Sequence, residues 1–195
     1  MLRFKKLADK AAIERMVPAL SDWFIDATDR LLAEIGVRAA DWSAWEAFAF
    51  AVWGIHCGLV TDARNTAKIL AELDSALSSS ADGYVRDRLA RVPDLDPVRG
   101  REAHATIMAL LGERTRDYDQ AFRNQGPRAA AADGREPSAW AREETIDRLI
   151  GFLLFADGDR KKCDAQAFLA LFEQLMEVVM AELSIDVRPD SMAAS

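Results

Sequence analysis

Residues 41–60, DWSAWEAFAFAVWGIHCGLV, constrain the fold more than any other part of the chain. From Ala47 to Val60 no residue carries a formal charge at neutral pH, and His56 is the only titratable polar side chain. At helical spacing the segment divides into two stripes. Ala44, Ala47, Ala51, Gly54 and Gly58 form a smooth groove that another helix backbone can approach closely. Trp45, Phe48, Val52, Ile55 and Leu59 form a bulky ridge beside it. A helix that is apolar all round is buried all round. The stripes therefore predict a central helix over 44–60. A bilayer-spanning helix needs about 20 apolar residues, so this run is read as a core helix. The Gly54-x-x-x-Gly58 spacing is read as close packing inside a core.

The rest of the sequence supports helix. Alanine, leucine and arginine dominate among the good helix formers, and β-branched residues are few. The expected fold is all-α: a single-domain orthogonal or up-down bundle of six to eight helices over 1–185, with a flexible tail over 186–195. A first helix is expected over 4–17, broken at Pro18. Ser21 is then the N-cap of a helix over 22–35, with Phe24, Thr28, Leu31 and Ile35 inward and Gly36 just past its end. Ser43 and Glu46 match a capping box at the head of the central helix. Asp62 is the expected cap of a following helix striped by Thr66, Leu70, Leu73 and Leu77, with a loop over 78–83. A short helix from Tyr84 is expected to end at Pro93. Asp96 and Pro97 open a long helix over 98–123, whose face is His104, Ile107, Leu111, Tyr118 and Phe122. A loop over 124–138 precedes a helix over 139–156, capped by Ser138 and ended by Asp157 and Gly158. Its inward residues are Ile146, Leu149, Ile150 and Leu153. Asp164 caps the last helix, striped by Phe168, Phe172, Leu175 and Val179.

Charge narrows the function. The formal net charge is −7. Residues 129–195 carry seven basic and thirteen acidic side chains. A chain with no strong basic patch is a poor binder of phosphate backbones, so nucleic acid is not an expected partner. The balance fits a basic protein partner. Two cysteines, Cys57 and Cys163, without CxxC spacing suggest a reducing, cytoplasmic setting. The N-terminal segment has no continuous apolar run of the kind a signal peptide carries, and no transmembrane segment is expected.

Each chemical constellation has a plainer structural reading. His56 and His104 are candidate metal or haem ligands, since neutral imidazole is a good ligand. No Glu-x-x-His pair accompanies them, and core histidines held by a hydrogen bond are the more economical reading. Asp22, Asp26 and Asp29 share a helix face that a Mg²⁺ site would use, with Glu143, Glu144 and Asp147 as the loose opposing row. Solvated acidic faces explain both. A calcium loop starting at Asp157 fails at Lys161, Lys162 and Phe168. Cys57 and His56 are adjacent on a helix, about 100° apart, and do not face each other. Arg86, Arg88, Arg91, Arg99 and Arg101 interleave with acids and read as a mixed surface. No nucleotide-binding or nucleophile-elbow motif occurs.

The expectation is therefore a non-enzymatic cytosolic helical protein acting through protein–protein interaction, as an adaptor, regulator, immunity-like or chaperone-like factor. It has a protein partner or forms a homo-oligomer. No catalytic or metal residue and no cofactor is assigned. The alternative is a bundle binding an apolar small ligand or cofactor, with His56 and His104 as polar anchors.

Overall fold

A computed structural model describes residues 10–61, 65–122 and 137–183. Among them the chain forms seven α-helices: α1 (Lys10–Glu34), α2 (Ala44–Thr61), α3 (Ala67–Ala90), α4 (Pro97–Gln120), α5 (Pro137–Leu153), α6 (Asp157–Arg160) and α7 (Ala165–Glu182). A 3₁₀ turn, Ala39–Asp41, precedes α2. The described residues contain no strand, only an isolated antiparallel bridge between Trp42 and Leu154. The fold is an all-α bundle. The start of the first helix at residue 4, the Asp62 cap, the expected loop up to 136, the Ser138 side chain and the 186–195 tail lie outside the described residues.

Helix α2 packs against α1, α3, α4, α5 and α7. Every residue from Glu46 to Ile55 is buried. By length and composition α2 could cross a membrane, yet 72% of it is buried inside the fold. Its two glycines meet α7. A Cβ at Gly54 would lie 2.8 Å from Leu175 Cδ2, and one at Gly58 would lie 2.5 Å from Val179 Cγ1. Those are overlaps, so the close approach depends on the missing side chains. The stripe expected for α7 is the face that lands there: Phe168, Phe172, Leu175 and Val179 are all buried. Around α2 the rings interlock, with Phe48 stacked on Tyr84 at 4.9 Å and Trp53 on Phe172 at 5.8 Å.

Helix ends follow local chemistry in most places. Gly36 takes φ +79° after α1. The Val37 N–H bonds the Leu32 carbonyl at 2.9 Å and the Gly36 N–H bonds that of Ala33 at 3.0 Å, a Schellman pair sealed by buried Val37 and Leu32. The Asp96 carboxylate accepts from the N–H groups of Val98 and Arg99 at 2.9 and 3.2 Å, with Pro97 in the first turn. Asp164 accepts from the Gln166 N–H at 2.9 Å.

Several expectations fail, those at Pro18 and at 78–83 for a tertiary reason. The helix does not break at Pro18, which sits inside a continuous α1. An interior proline costs about 3 kcal/mol. Burial of Ile13, Met16, Val17, Leu20 and Phe24 along one face outweighs it. Ser21 is consequently no N-cap but a fully buried mid-helix residue. Residues 78–83 are helix rather than loop, because Leu73, Ala76, Leu77, Ala81, Tyr84 and Val85 keep one buried face running through the serines. Tyr84 thus continues α3 instead of starting a short helix. Thr66, expected on the inward stripe, is the exposed N-cap of α3, accepting from the Ile69 N–H at 3.4 Å. Finally, α5 ends at Leu153, and Asp157 and Gly158 begin α6.

Candidate functional site

The two histidines belong to different places. His56, on α2, faces Asp74 of α3 and Asp119 of α4. Its Nδ1 lies 3.0 Å from Asp74 Oδ1, so Nδ1 carries the proton that the carboxylate accepts. Its Nε2 lies 3.7 Å from Asp119 Oδ2, whose other oxygen accepts from Trp53 Nε1 at 3.0 Å. The imidazole thus ties α2 to α3, and the Trp53 indole ties α2 to α4. A crevice of about 320 Å³ opens beside it, walled by Val52, Leu77, Met108 and Leu111. Its hydroxyls include that of Thr115, which donates to the Leu111 carbonyl at 2.9 Å.

His104, on α4, lies against α3. Its Nε2 is 2.8 Å from Asp82 Oδ1 but out of line for a hydrogen bond. The other Asp82 oxygen pairs with Arg86 at 2.6 Å. This imidazole borders a larger cavity, about 600 Å³ and open to solvent. The cavity sits where α3 ends and α4 begins. From α3 it takes Arg86, Leu89 and Ala90, at steps of three and one. From α4 it takes Pro97, Gly100, Arg101 and His104, at steps of three, one and three. Helical spacing puts each set on one face. Val92 and Leu95 in the connecting turn close the end.

The arginines therefore divide. Arg86 and Arg101 border the corner crevice, whereas Arg88 turns toward α1. Arg88 pairs with Asp22 and donates from Nε to the Tyr84 hydroxyl oxygen at 3.0 Å; Tyr84 in turn donates to Asp22 at 2.6 Å. Burial pushes the Asp22 carboxyl up, but the bonds from Tyr84 and Arg88 and the charges of Arg88 and Arg91 outweigh it, and the net shift is downward. Burial and the Asp22 carboxylate push the Tyr84 phenol well up. Asp22 is thus drawn into a helix contact, while Asp26 and Asp29 stay exposed, and the expected acidic row is not a shared ligand face.

Of the second row, Glu144 pairs with Arg148 at 3.2 Å. Asp147 is exposed, yet burial of its carboxyl and the neighbouring Glu144 and Glu143 charges raise its pKa. Among the described residues no three histidine, cysteine or carboxylate side chains group as a metal site requires. Cys57 is buried in α2. At Cys163, burial and then Asp159 raise the thiol pKa, the opposite of nucleophile activation.

One polar group escaped sequence reasoning. Ser43 caps α2, its Oγ accepting from the Glu46 N–H at 3.3 Å, so one half of the expected capping box forms. The other half does not, because Glu46 is buried against Arg114 of α4. The pair is bidentate, with Arg114 Nε to Glu46 Oε2 at 2.7 Å and a terminal nitrogen to Oε1 at 2.9 Å. The guanidinium also covers the Phe152 ring at 3.7 Å. The Glu46 hydrogen bonds hold the Arg114 pKa above its usual value, which burial only partly opposes. A separation of 68 residues left no local signal for this pair.

No protein-family model, curated protein or solved structure matches this chain.

Proposed function

We propose that this chain is a non-enzymatic helical protein that acts by binding another protein at the α3–α4 corner. The observation that carries this reading is the open crevice of about 600 Å³ there, with an apolar lining that includes Val92, itself 47% exposed. Val98, next in the chain to the lining residue Pro97, is 52% exposed. Scattered surface apolar residues need no explanation, but Val92 lines an open crevice with Leu89, Ala90 and Leu95, an apolar surface of the kind that marks interaction sites. The other polar clusters, around His56, Tyr84 and Glu46, spend their hydrogen-bonding groups on one another and on joining helices. The acidic face of Glu143, Glu144 and Asp147 is the other surface the charge pattern suggests. It is the weaker choice, because Glu144 is already engaged by Arg148.

The test is a photo-crosslinking residue at Val92 in the native host, with exposed Asp29 of α1 as the control position. Protein adducts at 92 and none at 29 are expected. Equal labelling at both, or none at 92, would sink the reading. A second reading, an apolar small ligand in the same crevice, is favoured by His104 on its border. Native mass spectrometry with a stoichiometric non-protein adduct would select it. His56 has no part in that reading, since it borders a different crevice.

A further inference from the structure

We infer that the crevice beside His56 is a binding site for a small organic amine, whose ammonium group bonds Asp74 while its apolar body lies against the walls. The site is separate from the α3–α4 corner and stands or falls independently of the docking reading. Its volume of about 320 Å³ is at the small end of ligand pockets, which begin near about 300 Å³. Val52, Leu77, Met108 and Leu111 wall it. Met108 is only partly buried, and its unbranched thioether adapts to irregular shapes.

The polar atoms of the crevice decide the class of ligand. No lysine or arginine lines it. Two of its donors are spent: His56 gives its Nδ1 proton to Asp74 Oδ1, and the Thr115 hydroxyl gives its own to the Leu111 carbonyl. Acceptors remain. Among the described residues Asp74 makes no ion pair with lysine or arginine, and its Oδ2 accepts from no side chain. The Thr115 oxygen can still accept, and Ser78 adds an exposed hydroxyl that turns either way. A second proton on His56, at Nε2, would face Asp119 at 3.7 Å and leave Asp74 Oδ2 as it is. A ligand here must therefore bring donors and positive charge. A neutral apolar molecule would strip water from the half-exposed Asp74 carboxylate without replacing its bonds. An anionic one would set like charge beside it. Mg²⁺ and Ca²⁺ need oxygen ligands on several sides, and the walls here are hydrocarbon and thioether. An alkylammonium meets both halves of the crevice, with N–H donors for the acceptors and methylene groups for the walls.

The test uses the full chain with methyl-labelled methionine, the Met108 signal being assigned through Met108→Leu. Hexylammonium, hexanol and hexanoate share one chain length and differ in the head group. Each is titrated while the Met108 methyl resonance is followed. Hexylammonium should move that resonance saturably and bind about tenfold tighter than hexanol, with hexanoate weakest. Asp74→Asn keeps an oxygen for the His56 Nδ1 proton, so circular dichroism should show it folded, and it should bring hexylammonium to the level of hexanol. If that variant unfolds, the head-group order in the wild type decides. Equal binding of hexylammonium and hexanol, tighter binding of hexanoate, or a preference that survives in a folded Asp74→Asn would overturn the amine site. So would a Met108 resonance that none of the three moves. Nα-acetyl-lysine methylamide separates a free amine from a protein side chain. If it binds tighter than hexylammonium, the ammonium belongs to a lysine of another protein and the small ligand is overturned.

Discussion

The interior around α2 and the corner between α3 and α4 are made of the same material, apolar helix faces with glycines in them, and they behave oppositely. At the seam with α7, a Cβ on Gly58 would come within 2.5 Å of Val179, and one on Gly54 within 2.8 Å of Leu175. At the corner, a Cβ on Gly100 would meet Leu95 at 3.5 Å, an ordinary contact. The seam has consumed its space in packing. The corner has kept about 600 Å³ of it. Native interiors pack to the density of organic crystals, as the seam does, whereas the corner crevice is open to solvent. Polar groups divide the same way. Glu46 and Arg114 satisfy each other in the interior, whereas Arg101 at the corner has no charged partner among the described residues.

Removing one member of the interior's buried ion pair should produce the largest loss. Arg114→Met leaves the Glu46 carboxylate buried and unpaired. Breaking a buried pair from one side costs about 3–5 kcal/mol, and about 3 kcal/mol is expected here because Arg114 keeps 18% exposure. Urea unfolding measures it. A loss below about 1 kcal/mol would place the pair with surface ion pairs and weaken the contrast.

The glycine seam should come next. Gly58→Ala removes the clearance over Val179, a β-branched side chain with little rotamer freedom. Overpacking costs about 1–3 kcal/mol, and for a chain of this size each kcal/mol lowers Tm by about 2–4 °C. Gly54→Ala should cost less, because the atom it meets is the far end of a flexible leucine. If both variants melt like the wild type, the close approach is not what holds α7.

These two regions also differ in how far sequence reveals them. The seam was legible, since Gly54 and Gly58 recur on one stripe of an uncharged segment and the α7 stripe carries its partners. So were Gly36, Asp96 and Asp164, whose roles need only their neighbours in the chain. Pro18 and the serines at 78–80 misled, because local preference there opposes a buried face contributed by distant helices. Ser21 misled with Pro18, being a cap only if the helix broke. The crevice at the corner was not legible. Arg86, Arg88, Arg91, Arg99 and Arg101 look like one mixed patch in the sequence. Only folding sends Arg86 and Arg101 to the crevice and Arg88 to Asp22. The usable signal was smaller: 86, 89 and 90 on one helix and 97, 100, 101 and 104 on the next share faces, with Val92 and Leu95 left apolar in the turn.

A smaller effect tests whether the contact flanking the corner belongs to the interior. Tyr84→Phe keeps the ring stacked on Phe48 and deletes the hydrogen bond to Asp22. A loss of about 1 kcal/mol at neutral pH is expected. The pH dependence has a definite sign. The folded Asp22 pKa is depressed, so its contribution is complete above the unfolded value of about 3.9 and disappears as pH falls through the lower folded value. The gap between wild type and Tyr84→Phe should therefore narrow only on strong acidification. A gap that closes already near neutral pH would point to a different group.

The smallest effect carries the sharpest test of the comparison, because the corner should tolerate what the seam refuses. Gly100→Ala adds the same methyl group as Gly58→Ala, but in a helix whose nearest neighbour stands at contact distance. Glycine in a helix interior is worse than alanine by about 0.5–1 kcal/mol, so the variant should be neutral or slightly stabilised. Val92→Asp puts a charge on a side chain already 47% exposed and should change stability by less than about 0.5 kcal/mol. Thermal unfolding of both, read beside Gly58→Ala, decides the matter. Stability unchanged with partner binding lost would assign Val92 to recognition. A drop in Tm comparable to that of Gly58→Ala would show that the corner is part of the packed interior after all, with no surface to offer a partner.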